Sequence, residues 1–207
     1  MGLIIGLLTA VIAAATTVVK TLAVAGLAIQ GLREIGNSLM NLGKSLGLIK
    51  PETQIEELGD RALQAEADGI EPGQFSSYMD YLKKVEEYEL DAEKTLNFSE
   101  EEKLKKGMEL AAGVMVEEYK EFPMEEFCIA VGQNPEYFTS GKLQEMGRLI
   151  EKNAGYIPEI LHYVDGTEKD EQKLDSVITT LTEIEKNTNP ELSDTDALQA
   201  VLGVRKL

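Results

Sequence analysis

The first fifty residues carry an apolar pattern that differs from the rest of the chain. Between Leu3 and Leu32 the only charged residue is Lys20, and the stretch has neither proline nor aromatic residues. From Ile4 to Ile49, apolar residues recur with one exception at alternating spacings of three and four, as in a helical heptad seam. Polar residues fill the other positions only after Leu32. The pattern therefore predicts a helix that is apolar on all sides at first and amphipathic afterwards.

After residue 50 the pattern predicts a series of shorter amphipathic helices. They begin near residues 51, 76, 100, 123, 140, 158, 167 and 193, and turn residues such as glycine, proline and asparagine separate them. Ser99 with Glu102 and Thr167 with Asp170 have the spacing of a capping box. Residues 91–98 are predicted to be a linker or weak hinge. No segment alternates in the manner of a strand, so the predicted fold is all-α.

The predicted organisation is a long apolar N-terminal helix, or helical hairpin, over residues 1–50, joined to an acidic multi-helix domain over residues 51–207. Charge supports this division. The 207-residue chain has a formal net charge of −17. Residues 1–50 contribute about +3 and residues 51–207 about −20, by counting Lys, Arg, Asp and Glu. A strongly acidic surface argues against a nucleic-acid partner, which requires a basic footprint.

Small residues are frequent in the N-terminal stretch and include a G-x-x-x-G pattern. Small side chains allow helix backbones to approach closely, and each glycine inside a helix costs about 1 kcal/mol relative to alanine. So many of them indicate a packing role. The residues predicted to mediate helix packing and oligomerisation are Gly2, Gly6, Ala10, Ala14, Ala25, Gly36 and Gly43.

Four interpretations of the N-terminal stretch compete. A signal peptide would have a basic first segment and a shorter apolar run. A membrane anchor needs about 20 apolar residues, which are present, but Lys20 near its middle and the lack of interfacial aromatics are unfavourable. A helix that packs on copies of itself or on partner subunits suits the Gly and Ala content best. The fourth interpretation is the buried central helix of a single domain.

The sequence offers little that resembles a catalytic or metal centre. His162 is the only histidine and Cys128 the only cysteine, so neither a zinc pattern nor an intrachain disulfide is possible. Glu159 and His162 have the E-x-x-H spacing of di-iron bundles, but those need two such motifs. The sequence also lacks a Gly-rich phosphate loop and a nucleophile elbow. We therefore expect no enzyme activity, no catalytic residue, no cofactor and no metal.

The leading functional hypothesis is a non-enzymatic structural protein. Its N-terminal helix is expected to drive homo-oligomerisation or membrane insertion, while the acidic domain is displayed for contact with a protein partner. Tyr137 and Phe138, after an Asn-Pro break, are a candidate partner-contact pair. In architecture alone, the chain is similar to assembly-forming or membrane-interacting components of phage particles, secretion machines and conjugation machines.

Two other functions stay open at this stage. One is a helical adaptor or regulator, membrane-anchored or soluble, that binds one protein partner. The other is a pore-forming toxin. The expected location is a membrane or a large assembly, with the C-terminal domain cytoplasmic if the N-terminal helix spans a bilayer, because Arg33, Lys44 and Lys50 follow the span.

Overall fold

The computed structural model describes residues 2–24, 29–120, 122–152 and 156–206, without the side chains of residues 2–7, 23 and 24. Within these ranges the secondary structure is helical and no strand occurs, which confirms the all-α fold. A single 3₁₀ turn spans Pro72–Gln74. The helices are α1 Gly2–Val24, α2 Ile29–Ser45, α3 Ile55–Ala67, α4 Tyr78–Glu86, α5 Ala92–Thr95, α6 Glu100–Glu118, α7 Met124–Gln133, α8 Ser140–Lys152, α9 Tyr156–Val164, α10 Glu171–Thr188 and α11 Asp194–Val204.

Polar caps begin several of these helices. The capping box of α6 is confirmed: the Ser99 hydroxyl accepts the N–H of Glu102, whose carboxylate accepts the N–H of Ser99. The second predicted box is wrong. Asp170 is itself the N-cap of α10 and accepts two backbone N–H groups of the first turn. Thr167 instead donates its hydroxyl to Asp165, in the turn before the helix.

Helix α6 is the centre of the fold. Helices α1, α2, α3 and α4 all pack on it, and α2 also contacts α7 and α8. Helix α10 then packs on α8, α9 and α11, and α9 also contacts α7 and α8. The middle of α6, residues 110–115, is buried on every side and carries no charge. That agrees with the rule that a helix surrounded by others is apolar all round.

Of the N-terminal stretch, predicted to be one helix or a helical hairpin over residues 3–49, the structure describes helices α1 and α2, and α2 ends at Ser45, four residues before the predicted end. Residues 25–28 lie outside the description. Both helices lay one face on α6, and their buried side chains belong to the same hydrophobic cluster as those of α3, α8 and α10. The first fifty residues thus share one continuous core with the residues that follow.

The predicted linker at residues 91–98 is tied to α3 by hydrogen bonds from the buried Gln64 side chain. The Gln64 amide nitrogen donates to Asp60 at 2.9 Å and to the Thr95 hydroxyl at 3.0 Å. The Gln64 amide oxygen accepts the N–H of Asp91 at 2.9 Å, and Lys103 pairs with Asp60 at 3.2 Å. Because a buried polar network of this kind is costly to break, it fixes α5 against α3.

Candidate functional site

Helix α1 has two faces of different character. Its inner face is packed on α6, α7, α4 and the 3₁₀ turn. The buried residues of that face are Leu8, Val11, Ala15, Val18, Val19 and Leu22. Its outer face, by which we mean the exposed residues Thr9, Ala10, Ala13, Thr17 and Lys20, looks away from the core. The inner face is therefore apolar and mostly large, whereas the outer face combines small alanines with threonines and one lysine.

The side chains described in α1, residues 8–22, differ from the predicted helix that is apolar on all sides, because Thr9, Thr17 and Lys20 form part of the exposed face. Alanine and threonine are small and uncharged, so they interrupt an apolar sequence pattern little, yet they present little apolar area when exposed. Lys20, near the middle of the helix, lies on the outer face and is exposed. Its charge is thus solvated and not buried.

A side-chain hydrogen bond from Thr16 joins α1 to the polar groups around α6. The Thr16 hydroxyl donates to Glu109 Oε1 at 3.1 Å. Glu109 lies 3.4 Å from the Lys106 ammonium, which in turn pairs with Glu66 at 2.6 Å. Glu66 accepts the Tyr81 hydroxyl, and burial, together with the negative charge of Glu66, raises the pKa of Tyr81. This chain of contacts adds a polar link to the apolar packing that holds α1 on α6.

The predicted packing residues fall into three groups. Ala10 lies on the outer face of α1 and Ala14 beside it is half-buried, so both border the open surface. Gly36 and Gly43 face neighbours within the chain. A Cβ on Gly36 would lie 2.6 Å from Ile55 Cδ1, and one on Gly43 would lie 2.7 Å from Ile49 Cδ1. Gly2 and Gly6 lie in the first turns of α1, whose side-chain surroundings are not described, and Ala25 lies outside the described residues.

Two glycines that the sequence analysis did not single out form a very close contact between helices α3 and α6. A Cβ on Gly59 of α3 would lie 1.7 Å from the carbonyl oxygen of Lys103. A Cβ on Gly107 of α6 would lie 2.1 Å from the carbonyl oxygen of Ile55. These helices thus touch backbone to backbone. The available signal was Gly59 within the otherwise regular pattern Ile55, Leu58, Ala62.

Tyr137 and Phe138 are buried, with 9% and 3% of their surface exposed, and do not form an exposed pair. Their rings meet edge to face at 5.3 Å between centroids. The Lys142 ammonium lies 4.0 Å from the centre of the Tyr137 ring and 2.5 Å from Glu185 Oε1. Burial raises the pKa of Tyr137, and the charge of Glu185 raises it further. This cluster borders a cleft between α7, α8 and α11.

The groups that most often carry chemistry are placed without catalytic partners. Cys128 is fully buried, and burial raises the pKa of its thiol, so the nucleophilic thiolate is disfavoured. His162 is exposed on α9, and Glu159 lies 3.8 Å from Lys173. Among the residues that the structure describes, no three His, Cys, Asp or Glu side chains are grouped as a metal site would require.

Searches for relatives give no further assignment. No family model, no curated protein and no solved structure matches the chain. A separate test concerns membranes: where the side chains are described, no helix is both long enough and apolar enough to cross a bilayer.

Proposed function

We propose that the protein is a non-enzymatic structural protein whose copies associate through the outer face of α1. The observation that supports this proposal is the contrast between the two faces of that helix. Large side chains are already packed on the protein's own core, while the outward surface is made of alanine and threonine with one lysine. Such a surface contributes little to the stability of the fold, so we attribute its small residues to a contact outside the chain.

Charge favours a second copy as the occupant of this face. Residues 51–207 carry a net charge of about −20, which makes most approaches between copies repulsive. No acidic residue precedes Glu34, so α1 offers a long surface free of negative charge. Two copies approaching through α1 keep their acidic parts on opposite sides. Electrostatics thus disfavours most orientations and leaves this one available.

Size favours close packing between two such helices. The spacing between packed helix axes depends on the side chains at the contact, in a range of about 8–10 Å. Ala10, Ala13 and Thr17 lie on one stripe and are small enough for the lower end of that range. A two-fold contact would use the same stripe on both copies, as most soluble dimers do.

Membrane insertion by α1 is the weaker form of the proposal. It requires α1 to leave α6 and to expose the six buried inner-face residues together with the α6 surface beneath them. Self-association needs no such rearrangement. An adaptor with one protein partner uses the same acidic surface but makes no use of the outer face.

The test measures the mass of the full-length protein by light scattering on a size-exclusion column over a range of concentrations. We expect a multiple of the 22.7 kDa chain mass. Ala13→Glu should return it to 22.7 kDa, because it places like charges face to face in the contact. Ala92→Glu is the control, since it adds the same charge to an exposed alanine of α5.

Two results would contradict the proposal. A wild-type protein that remains at 22.7 kDa at the highest concentration has no self-association to explain. Equal dissociation by Ala13→Glu and Ala92→Glu would show that net charge, and not the α1 surface, controls assembly.

A further inference from the structure

Helix α11 carries an uncharged surface that the fold leaves open. Residues 197–204 contain no charged side chain, and the helix packs mainly on α10. Leu198 and Leu202, one turn apart on the same side of the helix, are 39% and 50% exposed. A helix without polar side chains is normally surrounded by others. The two leucines therefore form an apolar surface that the described part of the chain leaves largely uncovered.

Charged residues at the two ends of α11 have opposite signs. Asp194 and Asp196 lie in its first turn, and Arg205 and Lys206 follow its last residue. Asp194 pairs with Lys186, but both side chains are exposed, so this pair contributes little to stability and can be shared. Within the described chain, Arg205 and Lys206 donate to a backbone carbonyl and to a side-chain amide, and to no carboxylate. The two ends of the helix are therefore complementary in charge.

An antiparallel pairing of α11 with the same helix of a second copy uses both features. When Leu198 of one copy is level with Leu202 of the other, Asp194 is level with Lys206 of the second copy. Two-fold symmetry repeats this arrangement at the opposite end. The leucines then cover one another, and carboxylates meet ammonium groups. A parallel pairing would instead bring like charges together at each end.

The balance of charge along α11 also favours a second copy as the occupant. Residues 194–206 contain two acidic and two basic side chains and so are neutral, whereas the whole chain has a net charge of −17. Most approaches between copies are repulsive at such a charge. An approach along this strip avoids that repulsion locally and adds attraction at both ends.

We infer that α11 is a second self-association surface, which joins copies already associated through α1. The inference rests on the proposed α1 contact, because the α11 surface is small. Its 11 residues make a helix about 16 Å long and about 10 Å wide, so two copies cover roughly a few hundred Å². Interfaces that hold proteins together alone bury about 1,000 Å² or more. Two α1-joined pairs, however, can meet through two α11 contacts at once, which bind far more tightly than one.

The experiment measures the mass of the full-length protein and its variants by light scattering on a size-exclusion column. Wild type is expected above twice the 22.7 kDa chain mass. Leu202→Glu places a carboxylate in the apolar contact and should lower the mass to two chains, because the α1 contact remains. Leu96→Glu is the matched control, since it makes the same change at a leucine outside α11 that is 84% exposed. Its mass should equal that of wild type.

Exchange of charge tests the antiparallel register. Asp194→Lys and Lys206→Glu each bring like charges together between copies, and each should lower the mass towards two chains. The double variant exchanges the two signs and should restore the wild-type mass. A role of either residue within its own chain would not be restored by this exchange, so failure of the double variant would contradict the antiparallel pairing.

The remaining outcomes separate this inference from the proposed function. A wild-type mass of two chains, or equal masses for wild type and Leu202→Glu, would overturn the α11 contact and leave the α1 contact standing. Equal dissociation by Leu96→Glu would assign the effect to net charge. A wild-type mass of one chain would overturn both contacts. If Leu202→Glu fell to one chain while Ala13→Glu kept two, the α1 contact would fail and α11 would be the main contact.

Discussion

Helices α1 and α3 both pack on α6 but do so in opposite ways. Helix α3 meets α6 backbone to backbone at Gly59 and Gly107, and its outer side carries ion pairs such as Arg61 with Glu57 at 2.8 Å. Helix α1 meets α6 through large side chains, with its small residues outward. The same residue class is therefore used inside the fold in one helix and on the surface in the other.

This difference shows what small residues do and do not indicate. A glycine or alanine in a helix allows a close neighbour, but the sequence does not say whether that neighbour belongs to the same chain. Gly36 has its neighbour within the chain, at Ile55. Ala13, by contrast, is exposed on the outer face of α1. Substitutions that affect α1 and leave α3 unchanged, or the reverse, can distinguish the roles of the two helices.

The largest effect is expected from deleting residues 1–50. Thirteen buried apolar side chains described in α1, α2 and the following turn would be lost. At about 1.5 kcal/mol or more for each, the loss is on the order of 20 kcal/mol, which exceeds the 5–15 kcal/mol by which domains are usually stable. We expect residues 51–207 alone to show no cooperative thermal transition by circular dichroism. A soluble fragment with a sharp transition would support the division at residue 50 instead.

A large effect is also expected at the contact between α3 and α6. In Gly107→Ala the new methyl group would meet the Ile55 carbonyl oxygen at 2.1 Å, and backbone yields less than a side chain does. Overpacking usually costs about 1–3 kcal/mol, and we expect about 3 kcal/mol or more here by urea unfolding. Gly203→Ala is the control, since it meets no atom within 4 Å and should stabilise by up to about 1 kcal/mol. Loss of stability in both variants would contradict this account.

The sequence predicted the class of fold and most helix positions, because apolar spacing and caps such as Ser99 are local signals. It left open whether the N-terminal stretch forms one helix or a helical hairpin, since an uninterrupted apolar pattern fits either, and it did not predict that α1 and α2 both pack on α6. It missed the contact between Gly59 and Gly107, which depends on which helices meet. It also suggested an exposed Tyr137, because a residue after an Asn-Pro break is exposed or buried according to distant partners such as Glu185.

A smaller effect is expected at the hydrogen bond between Thr16 and Glu109. Thr16→Val keeps the shape of the side chain and removes the donor to Glu109, so the free energy of unfolding should fall by about 1 kcal/mol. Thr17→Val is the matched control, because the exposed Thr17 hydroxyl only donates to Ala13 O within α1. The difference between the two variants in urea unfolding measures how firmly α6 holds α1. Equal values would mean that Glu109 does not help to hold α1 on α6.

The smallest effect concerns pH, where the two helices should again differ. Asp68, at the end of α3, accepts hydrogen bonds from Lys94 and from the Tyr88 hydroxyl, and these hold its pKa below the ordinary value. A carboxyl group whose pKa is lowered on folding stabilises the fold at pH values above its unfolded-state pKa of about 3.9. That contribution disappears as the pH falls through the lower, folded-state value. Asp68→Asn should thus be less stable than wild type at pH 7, with a gap that closes in acid.

The corresponding change on α1 is Lys20→Gln. No carboxylate precedes Glu34 in the sequence, and Lys20 is exposed. The difference in melting temperature between Lys20→Gln and wild type should therefore stay constant between pH 3 and pH 6. The two variants together test whether the electrostatics that orders α3 is absent from the outer face of α1. A gap for Lys20→Gln that closes in acid would place a carboxylate against that face, and copies of the chain would then have an ionic contact there as well as a close-packed one.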